Sequence, residues 1–183
     1  MRISILNGEP DPGSAFEVYL HDLAAQLRAR GHILTTLDLR ELDLKGCSGC
    51  WGCWVKTPGK CLKRDDHARV CRAVLDSDLC LWASPVARGF TSTLLKRAAD
   101  QMIPLIHPYL VMEGGEMHHR PRYAHYPKFG LVLGPGADTD AEDLEITTAM
   151  WARTARNFKS RLALSASSAL SVREVVDAIA AVA

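Results

Sequence analysis

Four cysteines lie within a stretch of fifteen residues in this chain of 183, at a spacing that could hold an iron–sulfur cluster. Cys47, Cys50 and Cys53 recur at every third position, and Cys61 follows after seven intervening residues. Three thiolates at this interval could bind three corners of a cubane, and the longer gap lets the chain turn back with the fourth. The gap contains Thr-Pro-Gly-Lys at 57–60, and Pro-Gly favours a turn. The sequence therefore predicts a [4Fe-4S] site at these four cysteines.

Other uses of these cysteines are open at this point. Four thiolates could bind zinc, although structural zinc sites usually separate two ligand pairs by a longer spacer, or they could be uncommitted or redox-active thiols. The chain start runs directly into a strand pattern without a leader, so we expect a cytoplasmic protein whose thiols stay reduced. Cys71 and Cys80 fit a helix and a strand, and we expect them to be small core residues.

Charge and composition exclude some classes of partner. The chain carries 22 basic and 21 acidic residues, for a net charge of +1, so no global field attracts nucleic acid. No stretch approaches the roughly 18 apolar residues that a membrane span needs. Residues 40–72 differ locally, with eight Lys and Arg against four Asp and Glu, a balance that would stabilise an anionic cluster. We therefore expect no nucleic acid and no membrane as partners.

Apolar runs alternate with helical periodicity along the chain, which is typical of a parallel sheet covered by helices. The pattern predicts strands at 3–6, 33–39, 79–83, 129–133 and 162–164. It predicts helices at 14–31, 65–75, 91–102, 140–158 and from 171 onward. Ser14 with Glu17, and Ser171 with Glu174, predict capping boxes at two helix starts. These elements predict a single α/β domain over 1–183, a flavodoxin-like three-layer sandwich with a five-stranded parallel sheet of order 2-1-3-4-5.

The segment after the first strand, Asn-Gly-Glu-Pro-Asp-Pro-Gly-Ser at 7–14, is a candidate anion site. It opens onto a helix N-terminus, where free N–H groups and the helix dipole favour a phosphate. It is not a nucleoside-triphosphate loop, because Ser14-Ala15 stands where that motif needs Lys and Ser or Thr, and it lacks the dinucleotide motif G-x-G-x-x-G. A monophosphate cofactor remains as the ligand, and an ordinary strand-to-helix turn is the alternative.

Two further segments follow predicted strands and reach the same edge of the sheet. One is Ser-Pro-Val-Ala-Arg-Gly-Phe-Thr-Ser at 84–92, and the other is Gly-Pro-Gly at 134–136. With these segments, the 7–14 segment and the cysteine run followed by Asp65-Asp66, the sequence resembles the iron-sulfur flavoproteins and the wider NAD(P)H-dependent FMN reductases of flavodoxin fold. The cysteine run with Asp-Asp is the specific part of the resemblance, since many proteins share the fold.

The resemblance implies that FMN binds at the three segments. The first would hold the phosphate, the second would lie along the isoalloxazine, and the third would close the other side. The implied cofactor-binding residues are Glu9, Pro10, Gly13, Ser14, Ala15, Phe16, Ser84, Pro85, Val86, Ala87, Arg88, Gly89, Phe90, Thr91, Gly134, Pro135 and Gly136. NAD(P)H would be a transient electron donor, and the family implies a homodimer or a tetramer.

Two departures from the family pattern bear on the flavin. Glu9 and Asp11 occupy positions where the family prefers Ser and Arg, and carboxylates beside a phosphate are unfavourable unless they point outward. Ala87-Arg88 replaces an aromatic pair that the family often has before the glycine of the second segment. We expect Arg88 to lie against the flavin, where a cation near the N1–C2 edge would stabilise the reduced anionic form.

The predicted loop at 104–128 is long and rich in His and Tyr. Loops of this length are usually functional or disordered. We interpret it as a lid or dimer arm on the substrate side of the flavin, with a plain surface loop, or a metal site at Glu116, His118 and His119, as alternatives. Trp51 and Trp54 lie among the cysteines, and we expect them to shield the cluster or to pack at a subunit contact.

Together these features predict an FMN-dependent oxidoreductase that passes electrons from NAD(P)H or an electron protein to a quinone, a flavin or a similar small-molecule acceptor. A [4Fe-4S] cluster would sit in a cysteine-rich insertion at about 45–64. The flavin carries the reaction, so hydride chemistry requires no catalytic acid. A flavodoxin-like electron carrier without enzymatic activity, and a cluster-free NAD(P)H:FMN or quinone reductase, are the alternatives.

Overall fold

The computed structural model describes residues 1–182, and five parallel strands form its main sheet. The strands in chain order are β1 (Arg2–Asn7), β2 (Ile33–Asp38), β3 (Leu79–Ala87), β4 (Phe90–Thr91), β5 (Ile106–Glu113), β6 (Glu116–Pro121), β7 (Lys128–Gly134) and β8 (Leu162–Ser167). The parallel strands lie in the order β2-β1-β3-β7-β8. Numbered among themselves, this is the predicted order 2-1-3-4-5, so the flavodoxin-like α/β fold is confirmed.

Helices cover both faces of the sheet. They are α1 (Ala15–Ala29), α2 (Gly52–Val55), α3 (His67–Leu75), α4 (Thr93–Asp100), α5 (Ala141–Asn157) and α6 (Val172–Ala181). The apolar residues of α1 and α6 pack together on one face, and those of α3, α4 and α5 pack on the other. Within residues 1–182, each helix is too short or too polar to cross a membrane.

Strand β3 lies at the centre of the sheet and is buried along most of its length. Parallel strands covered on both faces read as continuous apolar runs, which is why this strand was visible in the sequence. Successive side chains point to opposite faces, so Leu81 joins the α1–α6 side and Trp82 joins the other. The Trp82 ring lies 4.3 Å from that of Phe129 and 4.6 Å from that of Trp151, between centroids. This aromatic stack fixes α5 on the sheet.

One predicted capping box is confirmed and the other is half wrong. The reciprocal bonds between Ser171 and Glu174 are present at the start of α6. At α1, the Glu17 N–H donates to Ser14 Oγ at 3.0 Å, but the Glu17 carboxylate does not return to the Ser14 N–H. That N–H donates to the carbonyl oxygen of Asp11 at 3.2 Å, and the Glu17 carboxylate turns inward instead.

The 84–92 segment is a short hairpin and not a loop that opens directly into a helix. Strand β3 continues to Ala87 and pairs antiparallel with β4, so α4 begins at Thr93, two residues later than predicted. Arg88 and Gly89 form the turn, with φ of 52° and 75°. Two positive φ values in a two-residue turn are typical of type I′, which glycine adopts freely and arginine does not.

The prediction of a long loop at 104–128 is wrong, because β5 and β6 pair there as an antiparallel hairpin. Gly114 and Gly115, with φ of 59° and 81°, make the turn that joins them. Glu116 binds Arg153 of α5 at 3.1 Å, so this β5–β6 hairpin is anchored to the body of the protein. Gly-Gly between two strand-forming segments is a hairpin signal that the sequence contained.

Replacing Arg88 with Asn should stabilise the fold by about 0.5 to 1 kcal/mol, because Asn-Gly is a preferred type I′ pair. The measurement is the denaturant midpoint at unchanged slope. Arg64→Asn is the control, since Arg64 is also exposed but lacks a positive φ, and it should leave the midpoint nearly unchanged. A lower midpoint for Arg88→Asn than for the wild type would contradict the turn assignment.

Candidate functional site

Three loops leave the carboxyl edge of the sheet side by side. We call residues 8–14 the first loop, 84–92 the second loop and 134–136 the third loop. They follow or extend β1, β3 and β7, and β3 lies between the other two strands. Ligands of open parallel sheets bind at this edge. The fold therefore brings the three sequence-predicted segments to one place.

Gly8 joins the first loop to the second. Its N–H donates to the Ala83 carbonyl oxygen at 2.8 Å, and its carbonyl oxygen accepts the Ser92 hydroxyl at 2.6 Å. A Cβ atom at Gly8 would lie 2.9 Å from both Ser92 Oγ and Leu95 Cβ, closer than side chains normally approach. Because the partners are backbone or tightly held atoms, only glycine allows the two loops to meet here.

The third loop contacts α1 and the second loop. A Cβ atom on Gly134 would lie 2.6 Å from the Phe16 ring, and one on Gly136 would lie 3.6 Å from the Val86 carbonyl oxygen. Phe16 is 8% exposed and packs in the core, so the structure places it beneath the loops. The other predicted residues, Pro10, Gly13, Ser14, Ala15, Pro85, Ala87, Phe90 and Pro135, lie within the same loops or at their ends.

Ser84 and Thr91 give the second loop a polar interior. Ser84 Oγ accepts the Ser92 N–H at 2.8 Å and donates to the Pro85 carbonyl oxygen at 2.8 Å. The Thr91 hydroxyl is buried and has no hydrogen-bond partner within residues 1–182. Buried polar groups are nearly always bonded, so this orphaned hydroxyl fits a site that takes a polar ligand edge, such as that of an isoalloxazine. Arg88, at the turn, is exposed.

The two acids of the first loop bond to the loop's own backbone, Glu9 from a buried position and Asp11 from an exposed one. Glu9 is 4% exposed, and its Oε1 accepts the Asp11 N–H at 2.9 Å. Asp11 Oδ1 accepts the Gly13 N–H at 2.9 Å. The chain's own carboxylates thus occupy the N–H groups of Asp11 and Gly13, and their charge would repel a phosphate bound in this loop. The phosphate end of FMN therefore does not fit the first loop as the side chains are arranged.

A buried polar network behind the first loop was not predicted. Asn7 donates through Nδ2 to Glu17 at 2.7 Å and to Asp38 at 2.8 Å, and Arg40 donates to Glu17 at 2.9 Å. Burial alone would raise the pKa of Glu17, but the hydrogen bonds from Asn7 and Arg40 outweigh it and lower that pKa. Asn7 and Asp38 end neighbouring strands in register, which was the available sequence signal.

The cysteine loop, residues 45–64, is docked against the β5–β6 hairpin. The predicted turn is present, since the Lys60 N–H donates to the Thr57 carbonyl oxygen at 2.8 Å. Trp54 Nε1 donates to the Ile106 carbonyl oxygen at 2.9 Å, and its ring stacks on Trp51 with centroids 4.8 Å apart. Trp54 therefore attaches the cysteine loop to the body of the protein, and Trp51 packs on Trp54.

All four predicted ligand cysteines, Cys47, Cys50, Cys53 and Cys61, line one cavity. Its volume is about 30 Å³. Within residues 1–182, no three His, Cys, Asp or Glu side chains are placed to hold one metal ion, so neither zinc here nor the Glu116–His118–His119 alternative has a ligand set. Because these side chains do not converge on one point, a cubane would need the cysteine loop to rearrange.

The thiols in the cysteine loop differ in acidity. Cys50 is exposed, and a hydrogen bond from the Gly52 N–H is the main cause that lowers its pKa. Burial, followed by the neighbouring Cys61, raises the pKa of Cys53. A thiol with a lowered pKa carries more of the reactive thiolate at neutral pH. Cys50 is therefore more reactive than Cys53.

Cys71 and Cys80 lie in the core, as expected. They are 8% and 0% exposed, and burial raises the pKa of each thiol to about 12. Cys71 Sγ lies 3.1 Å from His67 Nε2, and burial lowers the pKa of this imidazole. The pair is a neutral thiol beside a neutral imidazole, which is not an activated nucleophile.

A larger cavity, of about 410 Å³, lies beside the second loop between α4 and α5. Phe90 of the second loop and Cys47 of the cysteine loop both line it, together with Trp151. The buried indole N–H of Trp151 has no hydrogen-bond partner within the described chain. This cavity connects the surroundings of the second loop with the cysteine loop.

A five-stranded parallel sheet with helices on both faces and three contacting loops at its carboxyl edge defines a flavodoxin-like α/β protein. The sequence model of the NADPH-dependent FMN reductase family matches residues 1–128, which include the first loop, the cysteine loop and the second loop. The chain belongs to this family and is an NAD(P)H-dependent oxidoreductase. The family description names a flavin and a nicotinamide donor but no iron–sulfur cluster.

Solved structures share the fold at low sequence identity. An NAD(P)H:quinone oxidoreductase from Methanothermobacter marburgensis is 18% identical, with a TM-score of 0.65, over 100% of this chain and 97% of its own. An FMN-dependent NADH-azoreductase from Bacillus anthracis, in complex with FMN, is 11% identical with a TM-score of 0.64, over 100% and 96%. An NADH:FMN oxidoreductase in its apo form is 14% identical, with a TM-score of 0.61, over 99% of this chain and 87% of its own. No curated protein sequence is a significant match.

In metal-free protein at neutral pH, Cys50 should react with iodoacetamide faster than Cys53, because Cys50 is exposed with a lowered pKa and burial raises the pKa of Cys53. Cys71 and Cys80 should react only after unfolding, because both are buried with a raised pKa. The measurement is peptide mass spectrometry over a time course, with protein in denaturant as the control. Equal rates for Cys50 and Cys53 in the folded protein would contradict the difference in acidity.

Proposed function

We propose that this protein is a flavin-dependent NAD(P)H oxidoreductase that delivers electrons to a quinone, a flavin or a similar small-molecule acceptor, without needing a cluster. The observation that carries the proposal is the contact of the three loops at the carboxyl edge, in a chain whose family match covers two of them. The flavin, when bound, would accept a hydride from the nicotinamide and pass electrons on. The protein's part is to bind and orient it.

The second loop is proposed to hold the flavin ring. The orphaned Thr91 hydroxyl supports this, because it supplies a hydrogen-bonding group that the protein itself leaves unused. Arg88 supports it as well, because a non-glycine residue with a φ of 52° is held in an unfavourable conformation, and such residues concentrate at functional sites. An Arg88 guanidinium close to the ring would favour the reduced anionic flavin.

Oligomeric assembly through the β5–β6 hairpin stays a prediction. Apolar side chains that the single chain leaves exposed support it: Tyr109 is 64% exposed and Met112 and Met117 are 68% and 69% exposed. Exposed apolar surface of this kind is typical of an interaction site. A homodimer or tetramer would cover it, and the hairpin would then serve as the dimer arm expected from the sequence.

The [4Fe-4S] cluster also stays a prediction. Its support is that the four cysteines of the cysteine loop line a single cavity. Against it stand the positions of the side chains, which form no metal ligand set within residues 1–182, and the family description, which includes no cluster. The proposed reductase activity does not depend on whether the cysteine loop holds a cluster.

The proposed function is tested by Gly8→Ala. The new methyl group would meet Ser92 and Leu95, and so should separate the first two loops, weaken flavin binding about tenfold or more, and cost about 1 to 3 kcal/mol of stability. Gly46→Ala is the matched control, because a Cβ at Gly46 meets no atom within 4 Å. Flavin affinity is measured by fluorescence titration, and activity by oxidation of NADPH and of NADH with a quinone acceptor.

Wild-type protein that oxidises neither nicotinamide in the presence of flavin and quinone would overturn the proposed activity. Equal flavin affinities for Gly8→Ala and Gly46→Ala, with Gly8→Ala folded, would instead overturn the assigned site. Reductase activity that survives removal of all iron would show that the proposed activity does not require the cluster.

The cluster prediction is tested by Cys61→Ala. If Cys61 supplies one corner of a cubane, this change should lose or degrade the cluster, while the sheet stays folded because its core lies elsewhere. Cys80→Ala is the control, expected to cost packing but no iron, since Cys80 is 0% exposed in the core. Iron and acid-labile sulfide are measured in protein purified without air. Wild-type protein that contains neither iron nor acid-labile sulfide would contradict the cluster prediction, and the protein would then be a reductase with free thiols.

A further inference from the structure

The first loop presents hydrogen-bond acceptors where the phosphate of FMN would need donors. Backbone N–H groups throughout it are bonded to oxygens of the chain itself, namely those of Gly8, Glu9, Asp11, Gly13 and Ser14. Pro10 and Pro12 have no N–H to offer. The backbone donors that remain are the N–H groups of Ala15 and Phe16 in the first turn of α1.

The negative charge around the first loop is also unfavourable for binding an anion. Glu9 and Glu17 are both buried, at 4% and 3% exposure, and Asp11 and Asp38 lie beside them. Arg40 is the cation that contacts this loop, through the Glu9 carbonyl oxygen at 3.2 Å, but its guanidinium is paired with Glu17 at 2.9 Å. A phosphate would therefore enter a region of four carboxylates whose arginine is already neutralised.

The direction of Glu9 is fixed by bonds on both sides of the residue. Its N–H donates to Asn7 Oδ1 at 3.0 Å, and its carbonyl oxygen accepts from Arg40. Its carboxylate closes a turn onto Asp11. Rotating the carboxylate outward to admit a phosphate would break the bond to Asp11 and leave that N–H without its partner.

We infer that this chain binds its flavin without using a 5′-phosphate, and that riboflavin, whose ribityl chain ends in a neutral hydroxyl, binds more tightly than FMN. This rests on the proposed function, because it concerns the same flavin. A hydroxyl donates hydrogen bonds, and the Glu9 and Asp11 carboxylates accept them. A phosphate at neutral pH only accepts and is repelled by both. Glu9 is thus a specificity-determining residue that selects the uncharged form of the flavin.

The test compares equilibrium affinities for riboflavin, FMN and lumiflavin, which lacks the ribityl chain, by quenching of flavin fluorescence. Wild-type protein should bind riboflavin about tenfold more tightly than FMN, and lumiflavin more weakly than riboflavin. Higher salt should narrow the gap between riboflavin and FMN, because it screens the repulsion. These measurements need no turnover, so they do not depend on the electron donor or acceptor.

Glu9→Gln is the informative variant, because the amide keeps an oxygen for the Asp11 N–H and removes the charge. It should lower the preference for riboflavin over FMN about fivefold, mainly by strengthening FMN binding. Asp11→Asn should also lower the preference for riboflavin over FMN. It serves as the second test variant if Glu9→Gln does not fold. Asp22→Asn is the matched control, since it removes one charge from an exposed position further along α1 and should leave the preference unchanged.

The outcomes separate this inference from the proposed function. Tighter binding of FMN than of riboflavin by the wild type would overturn the inference and leave the proposed reductase intact. An unchanged preference in both Glu9→Gln and Asp11→Asn would overturn the role of these carboxylates. Binding of none of the three flavins would overturn the inference and the proposed function together.

Discussion

The site depends on the contact between two backbone segments at Gly8. The Gly8 N–H extends the pairing of β1 and β3 by one bond beyond the strand end, to Ala83. Ser92 completes the contact, because its hydroxyl donates to Gly8 and accepts the Leu95 N–H at 3.3 Å. One side chain thus both caps α4 and holds the first loop. The position of α4 and the path of the first loop are therefore coupled, and neither can move alone.

The buried network around Asn7 carries this constraint to the next strand. The parallel register places Asn7 opposite Asp38 at the ends of β1 and β2. Glu17 reaches the same point from α1 and pairs with Arg40. A buried ion pair contributes little net stability after desolvation, but its hydrogen bonds are costly to break one at a time. Its role here is to fix one conformation of the first loop, including the inward direction of Glu9.

The fold could be predicted from the sequence because its strands are buried on both faces and appear as short apolar runs. The three loops could be placed because parallel strands share a carboxyl edge. What escaped prediction depends on partners distant in sequence. The local sequence does not indicate that the Glu17 carboxylate accepts from Asn7 and Arg40 instead of from the Ser14 N–H. These two partners lie 10 and 23 residues away in the chain. The sequence showed that Glu9 departs from the family pattern. It did not show that the Glu9 side chain points inward, because that direction depends on the same buried network.

A loop whose polar groups are already bonded to one another is stable without a ligand. The N–H groups of Asp11 and Gly13 already have partners of this kind in the carboxylates of Glu9 and Asp11. A ligand that needed those donors would first have to break these bonds, so it would gain little net affinity there. Under the proposed function, the flavin is therefore held by contacts to its ring and ribityl chain.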